Sequence, residues 1–247
     1  MKYSFNDYLY ENHKNDNSFV ISFSDKIIEK LINTKLTDST NDSLFYSQSF
    51  KEPMIFLFKL NISKNSKFNI KTDSHFKDLP WEKLNFDRDG YAIDANTKIH
   101  SDEEVSPEII IHLAVDPNRE PKLYTKLHAR LIDILVHETH HLGQKGINRE
   151  PFNKESSEDR EEAKRNYKYF LLDEEVESMV NGMYARSKYS KIPLDYVFYD
   201  YLSAFIKTKY ISTEEYSKIL KTWVKYAVET YPDANFSKKV ESLVTSS

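Results

Sequence analysis

The sequence predicts an α+β fold, with a mixed α/β N-terminal lobe containing a small sheet, a helical C-terminal lobe, and a long helix between them. Two patterns carry this. Apolar residues alternate with a period of two at Met54–Ile62, and from Leu123 onward they recur at three- and four-residue spacing. A third observation concerns the join: no Gly/Ser- or Pro-rich linker separates the halves. The 247 residues are therefore expected to form one two-lobed unit over 18–247, with residues 18–117 as the mixed lobe and 118–247 as the helical lobe. Residues 1–17, polar and aromatic, are expected to be weakly ordered.

The elements follow in order. Ile21 to Leu36 reads as a short strand running into a helix, with Ile27, Ile28, Leu31 and Ile32 at helical spacing. Residues 37–50 are a polar loop. Met54 to Ile62 reads as a strand with Phe56, Phe58, Leu60 and Ile62 on one face. Residues 63–90, rich in Asp, Asn and Lys, read as loop, and Tyr91 to Asn96 as a further short strand. Ile109 to Val115 is the strongest strand, opened by Pro107 and closed by Asp116-Pro117.

A helix entered near Asn118 then carries Leu123, Leu127, Leu131, Ile134 and Leu135, and stops at Gly143–Gly146. Asp173 is expected to cap a helix running to about Lys188. Leu194 to Lys209 is the next, and Ser212 with Glu215 forms a capping box for one ending near Pro232.

Composition narrows the function classes. Hydrophobic residues make up 39% and charged residues 30%, as in a globular protein. The formal charge of −4 gives no electrostatic reason to expect nucleic acid or an anionic membrane as partner. The N-terminal residues lack the apolar stretch of a secretory signal, and the longest apolar-rich run, Ile109 to Val115, is too short to cross a bilayer. A cytoplasmic or virion-associated location is the corresponding expectation.

Four glycines are too sparse for a phosphate-binding loop. The chain has no cysteine. That excludes a disulfide framework, a thiolate zinc finger, a Cys-ligated iron–sulfur cluster and a Cys nucleophile. Any metal must be held chiefly by His and carboxylate.

Such a set exists within the long helix. Leu135-Val136-His137-Glu138-Thr139-His140-His141 contains H-E-x-x-H as His137, Glu138 and His141. Residues four apart share one helix face, so both imidazoles can reach one tetrahedral cation. Glu138 lies about 100° around the helix from His137. Its carboxylate can therefore act on a water beside the cation as general base. A glycine three residues after His141 and a histidine six after it would mark the metzincin extension, but Gln144 and Ile147 stand there.

The third ligand must then be a downstream carboxylate, and the segment Glu174-Glu175-Val176-Glu177-Ser178 offers three. From Glu175, the positions three and seven onward are Ser178 and Gly182, small enough for close helix approach. Glu177 shares its face with the bulkier Asn181 and Tyr184. This favours Glu175, with Glu174 and Glu177 as alternatives.

His137-Glu138-Thr139-His140-His141-Leu142-Gly143-Gln144, followed by Leu171-Leu172-Asp173-Glu174-Glu175-Val176-Glu177-Ser178, resembles the gluzincin metallopeptidases. It is similar in particular to small phage and bacterial members with HExHHxxQ and then E-x-E-small. The resemblance covers about residues 123–188. It implies zinc held by His137, His141 and Glu175, Glu138 as catalytic base, a peptide or protein substrate, and a zincin-like fold. Ser178 stands where that family usually has Ala, and Met179 where several members place an Asp that orients a His ligand. The fold also implies that the strand before the helix offers its edge to an extended peptide; Ile109 to Val115 is the candidate, and a plain buried sheet strand is an equal reading of its residues.

Other residues have plainer readings. His140 is either a hydrogen-bond partner of the site or a half-buried polar residue on the helix flank. His128 reads as surface and His112 as a sheet histidine. No tyrosine stands out as an oxyanion stabiliser. Phe5, Tyr8, Leu9 and Glu11 resemble the opening of some tailed-phage virion proteins, where processing follows L-x-E, here Leu9-Tyr10-Glu11.

The leading expectation is a zinc-dependent peptidase. The alternative from another class is a non-enzymatic virion or accessory protein with a structural or vestigial metal site, and a zinc hydrolase of non-peptide amides would use the same four residues.

Overall fold

The computed structural model describes residues 18–39, 54–61, 69–73, 91–98, 108–115, 122–144, 166–238 and 240. They form α1 (Ser18–Ser39), strands β1 (Met54–Asn61), β2 (Asn69–Asp73), β3 (Tyr91–Lys98) and β4 (Glu108–Val115), then α2 (Lys122–Gln144). A 3-10 turn (Tyr167–Leu171) follows, and then α3 (Asp173–Ser190), α4 (Leu194–Lys207) and α5 (Thr213–Thr230). The described residues are mostly helical, and no helix among them is long and apolar enough to cross a membrane. Packing divides the chain into two compact units, Met1–Ile134 and Leu135–Ser247. The division falls inside α2, so that one long helix contributes residues to both units.

In the first unit, α1 is helical from Ser18, with no strand at its start. Val20, Phe23, Ile27 and Leu31 are buried at helical spacing, so the apolar residues that suggested a strand belong to the first turns of the helical stripe. The sheet is antiparallel throughout, in the order β2-β1-β4-β3. Its register sets Phe56, Phe58 and Leu60 opposite Leu113, Ile111 and Ile109. Ile62 lies outside the described residues.

Two expectations are corrected here. Residues 63–90 are not all loop, because Asn69–Asp73 pairs with β1 as an outer strand. Its sequence, NIKTD, suits an outer strand, where polar and lysine residues are tolerated, and carries no apolar alternation to betray it. Secondly, β4 does not offer an edge to a peptide. It lies between β1 and β3, with both of its sides paired. Ile109, Ile111 and Leu113 are buried on one face and Ile110 and His112 half-buried on the other, the apolar run of an interior strand. In α2, described from Lys122, Leu127, Leu131 and Ile134 are buried in the first unit. His128 is not a bare surface residue: its Nε2 lies 3.0 Å from Asp25 Oδ1 of α1.

The second unit packs around Trp223, Phe170 and Phe198, with Val176, Met179, Val180 and Met183 of α3 in the same cluster. The indole N–H of Trp223 donates to the Phe170 carbonyl at 2.9 Å, which ties α5 to the 3-10 turn. Asn166 caps that turn, its Oδ1 accepting from the Lys168 N–H at 2.8 Å. Leu172, not Asp173, is the N-cap of α3, and no side chain caps it. The extended backbone of Leu172 already breaks the turn from the helix, so Asp173 falls in the first helical turn, where its charge favours the dipole. Lys191, in the left-handed region at φ 55°, caps the C-terminus of α3, two residues before Pro193. Ser212 and Glu215 make the capping box of α5 reciprocally.

Candidate metal centre

The C-terminal part of α2, from Leu135, lies in the second unit with α3. Spacing by four puts His137 and His141 on one face, their rings edge-on with centroids 4.6 Å apart. Their Nε2 atoms face each other at 3.0 Å. α3 brings Glu175 against them, with Oε2 at 3.8 Å from His137 Nε2 and 3.5 Å from His141 Nε2. The circle through these three atoms has a radius of about 2.0 Å, the length of a zinc bond to nitrogen or oxygen. Two imidazole nitrogens and a carboxylate oxygen are a donor set that suits zinc. The three residues thus fit a divalent cation, and among the described residues the group has these three members.

The surroundings are graded. The Glu175 side chain is only 4% exposed, those of His137 and His141 16% and 20%, so the cluster is closed behind the carboxylate and more open on the imidazole side. Glu138 is buried, with Oε1 4.0 Å from His137 Nε2, which sets its carboxylate beside the cluster.

Burial by itself would raise the Glu175 pKa. When the imidazoles are protonated, the hydrogen bond and charge of His141 and the charge of His137, together with the hydrogen bond from Tyr169, outweigh it and hold the carboxyl below its ordinary range. The Tyr169 hydroxyl donates to Glu175 Oε2 at 2.8 Å. Burial first, and then the Glu175 carboxylate, push the Tyr169 pKa upward, so the phenol stays protonated and stays a donor.

The neighbouring residues are also placed. The carboxylate of Glu177 is engaged by His140, Nε2 to Oε2 at 3.3 Å. Asn181 Nδ2 lies 2.8 Å from His140 Nδ1, and the Tyr231 hydroxyl donates to Asn181 Oδ1. His140 and Glu177 therefore join α2 to α3 beside the cluster. Glu174 is half-buried and its carbonyl accepts from the Ser178 hydroxyl. Met179 is buried in the apolar cluster. Ser178, read from sequence only as small, has its Oγ 3.2 Å from His141 Nδ1.

Sequence reasoning missed Tyr169 because it lies in a 3-10 turn outside any periodic segment. It missed the hydroxyl of Ser178 because size alone explained that position. Of the other tyrosines, Tyr189, Tyr196 and Tyr199 are exposed, Tyr201 packs on the core, and Tyr184 stacks on Tyr231 with ring centroids 3.9 Å apart. The Gln144 side chain and Leu9-Tyr10-Glu11 lie outside the described residues.

No protein-family model, no curated protein and no solved structure matches the chain.

Proposed function

We propose that this protein is a zinc-dependent peptidase of gluzincin type, with a zincin-like α+β fold and its catalytic residues in the second unit. The observation that carries this reading is the three-atom cluster of His137, His141 and Glu175, on a circle of about 2.0 Å radius, with Glu138 next in sequence to a ligand. A structural zinc is normally closed by four protein ligands, whereas three leave a position for water or substrate. Among the described residues the cluster has three, and that count favours catalysis over a structural or vestigial site.

A zinc ion held there supplies a Lewis acid that polarises a carbonyl and lowers the pKa of water. His137 and His141 offer neutral Nε2 lone pairs, and Glu175 contributes the negative charge that partly offsets the cation. Glu138 takes a proton from the attacking water and returns it to the departing amine, so the carboxylate ends as it began. The more open imidazole side is where an extended peptide would approach.

The test uses the full chain, purified, with zinc content measured by atomic emission and cleavage followed on a fluorescently labelled unfolded protein. One zinc per chain is expected, removed by His137→Ala. Glu138→Gln should retain the zinc and lose cleavage by roughly 10²- to 10⁴-fold, the range of general acid–base catalysis. Full cleavage by Glu138→Gln would reject the mechanism, and zinc bound without any cleavage in the unmutated chain would favour a structural site.

A further inference from the structure

We infer that Ser178 is the positioning residue for His141, fixing the ring tautomer that leaves Nε2 free to bind the metal. Ser178 Oγ lies 2.7 Å from the Glu174 carbonyl oxygen. A carbonyl has no proton, so the serine hydroxyl must donate there. A hydroxyl has one donor and two acceptor sites. Toward His141 Nδ1, 3.2 Å away, Ser178 can therefore only accept, and Nδ1 must carry the proton. The other nitrogen, Nε2, is the one that faces His137 Nε2 and Glu175 Oε2. Which nitrogen of a histidine binds metal is set by the hydrogen bond its other nitrogen makes.

Local geometry holds the hydroxyl in place. The bond from Ser178 to the carbonyl four residues earlier is the usual back-bond of a helical serine, and it pins the side-chain rotamer. Ser178 is fully buried, 0% exposed, so bulk water does not compete for its hydroxyl. The thioether of Met179, next along, is buried in the apolar cluster and gives the imidazole no comparable acceptor. Ser178 is also three residues after Glu175, on the same helix stripe. One face of α3 thus delivers both the carboxylate ligand and the group that orients an imidazole ligand.

The inference rests on the metal reading above, and the experiment separates the two. Zinc affinity is measured for the full chain by competition with a chromophoric chelator, alongside thermal melting of the metal-free proteins. The unmutated chain should bind one zinc, and His137→Ala none. Ser178→Ala should weaken zinc binding about 10- to 100-fold, as loss of an outer hydrogen bond does, while its metal-free melting stays close to that of the unmutated chain. Ser178→Thr keeps the hydroxyl and should recover most of the affinity.

In the zinc-loaded protein, proton–nitrogen NMR should show the His141 Nδ1–H protected from exchange, and exposed to exchange in Ser178→Ala. Equal zinc affinity in Ser178→Ala and the unmutated chain overturns the role of Ser178 and leaves the metal site standing. So does a loss in Ser178→Thr as large as in Ser178→Ala, which would assign the effect to packing. No zinc binding by the unmutated chain overturns the metal reading and this inference together.

Discussion

Tyr169→Phe removes one oxygen from the site and leaves the ring, which still packs edge-on against Phe170 with centroids 5.6 Å apart. What is lost is the 2.8 Å hydrogen bond to Glu175 Oε2, on a carboxylate side chain only 4% exposed. Hydrogen bonds to a charged group contribute about 1.5–3 kcal/mol. At 1.4 kcal/mol per decade, zinc binding should weaken roughly 10- to 100-fold, provided the bond serves to hold the carboxylate in its ligating position.

The same change acts on protonation. The Tyr169 bond is one of the causes that keep Glu175 ionised below its ordinary range. A carboxylate with a lowered folded pKa adds stability that is present above its unfolded value, near 4.5, and is lost as pH falls through the lowered value. Tyr169→Phe should therefore also narrow the acid side of the stability range. Chelator competition at neutral pH gives the affinity, and the acid midpoint followed by circular dichroism gives the second effect. A zinc dissociation constant within threefold of the unmutated chain would refute the argument, because it would mean that Glu175 is positioned by α3 alone.

Two further outcomes follow from the cores of the two units. Trp223→Phe removes a fully buried indole and leaves the Phe170 carbonyl without its 2.9 Å partner. An unsatisfied buried acceptor costs about 1–3 kcal/mol and the smaller ring leaves a cavity, so denaturant unfolding should show a loss of about 2–4 kcal/mol; a loss under about 1 kcal/mol would contradict this packing. In the first unit, burial lowers the His128 pKa below its ordinary 6.5, against the opposing charge of Asp25. A histidine with a lowered folded pKa contributes stability that is complete above 6.5 and falls away as pH drops below it. The denaturant midpoint should therefore decline between pH 6.5 and 5, less steeply in His128→Gln, and an identical slope in that variant would show that other groups carry it.

What could be read from the sequence was local. His137, Glu138 and His141 lie within one helix, and their relative placement follows from 3.6 residues per turn. The capping box at Ser212 and Glu215 is equally local and stands as read. The preference for Glu175 over Glu177 came from small residues three and seven positions on, and the geometry gives that preference a cause: Glu175, Ser178 and Gly182 are all buried, while Glu177 pairs with His140. What could not be read depends on partners distant in sequence. β2 exists because β1 pairs with it, and NIKTD has no pattern of its own. The edge expected of β4 comes with the zincin resemblance; its apolar run fits an interior strand as well, and only its pairing with β1 and β3 decides between them.

The two buried stripes of α3 explain why the site and the core are one problem. Val176, Met179, Val180 and Met183 face the cluster around Trp223, while Glu175, Ser178, Gly182 and Ala185 are buried on another stripe, about 130° around the helix. A helix buried on two faces has little freedom to rotate about its axis, since any rotation would expose apolar surface on one side and misplace polar groups on the other. That restraint is what a metal cluster needs from its scaffold. Glu175 must meet His137 and His141 within tenths of an ångström, and a short acidic side chain in the first turn of a freely rotating helix would not do so reproducibly.

The Trp223 bond to Phe170 extends the restraint to the 3-10 turn and so to Tyr169, which holds the carboxylate from the other side. Precision at the cluster is thus set by an apolar contact network that contains no ligand. Core substitutions such as Trp223→Phe should accordingly loosen zinc binding through Tyr169 and Glu175, even though neither residue has been changed.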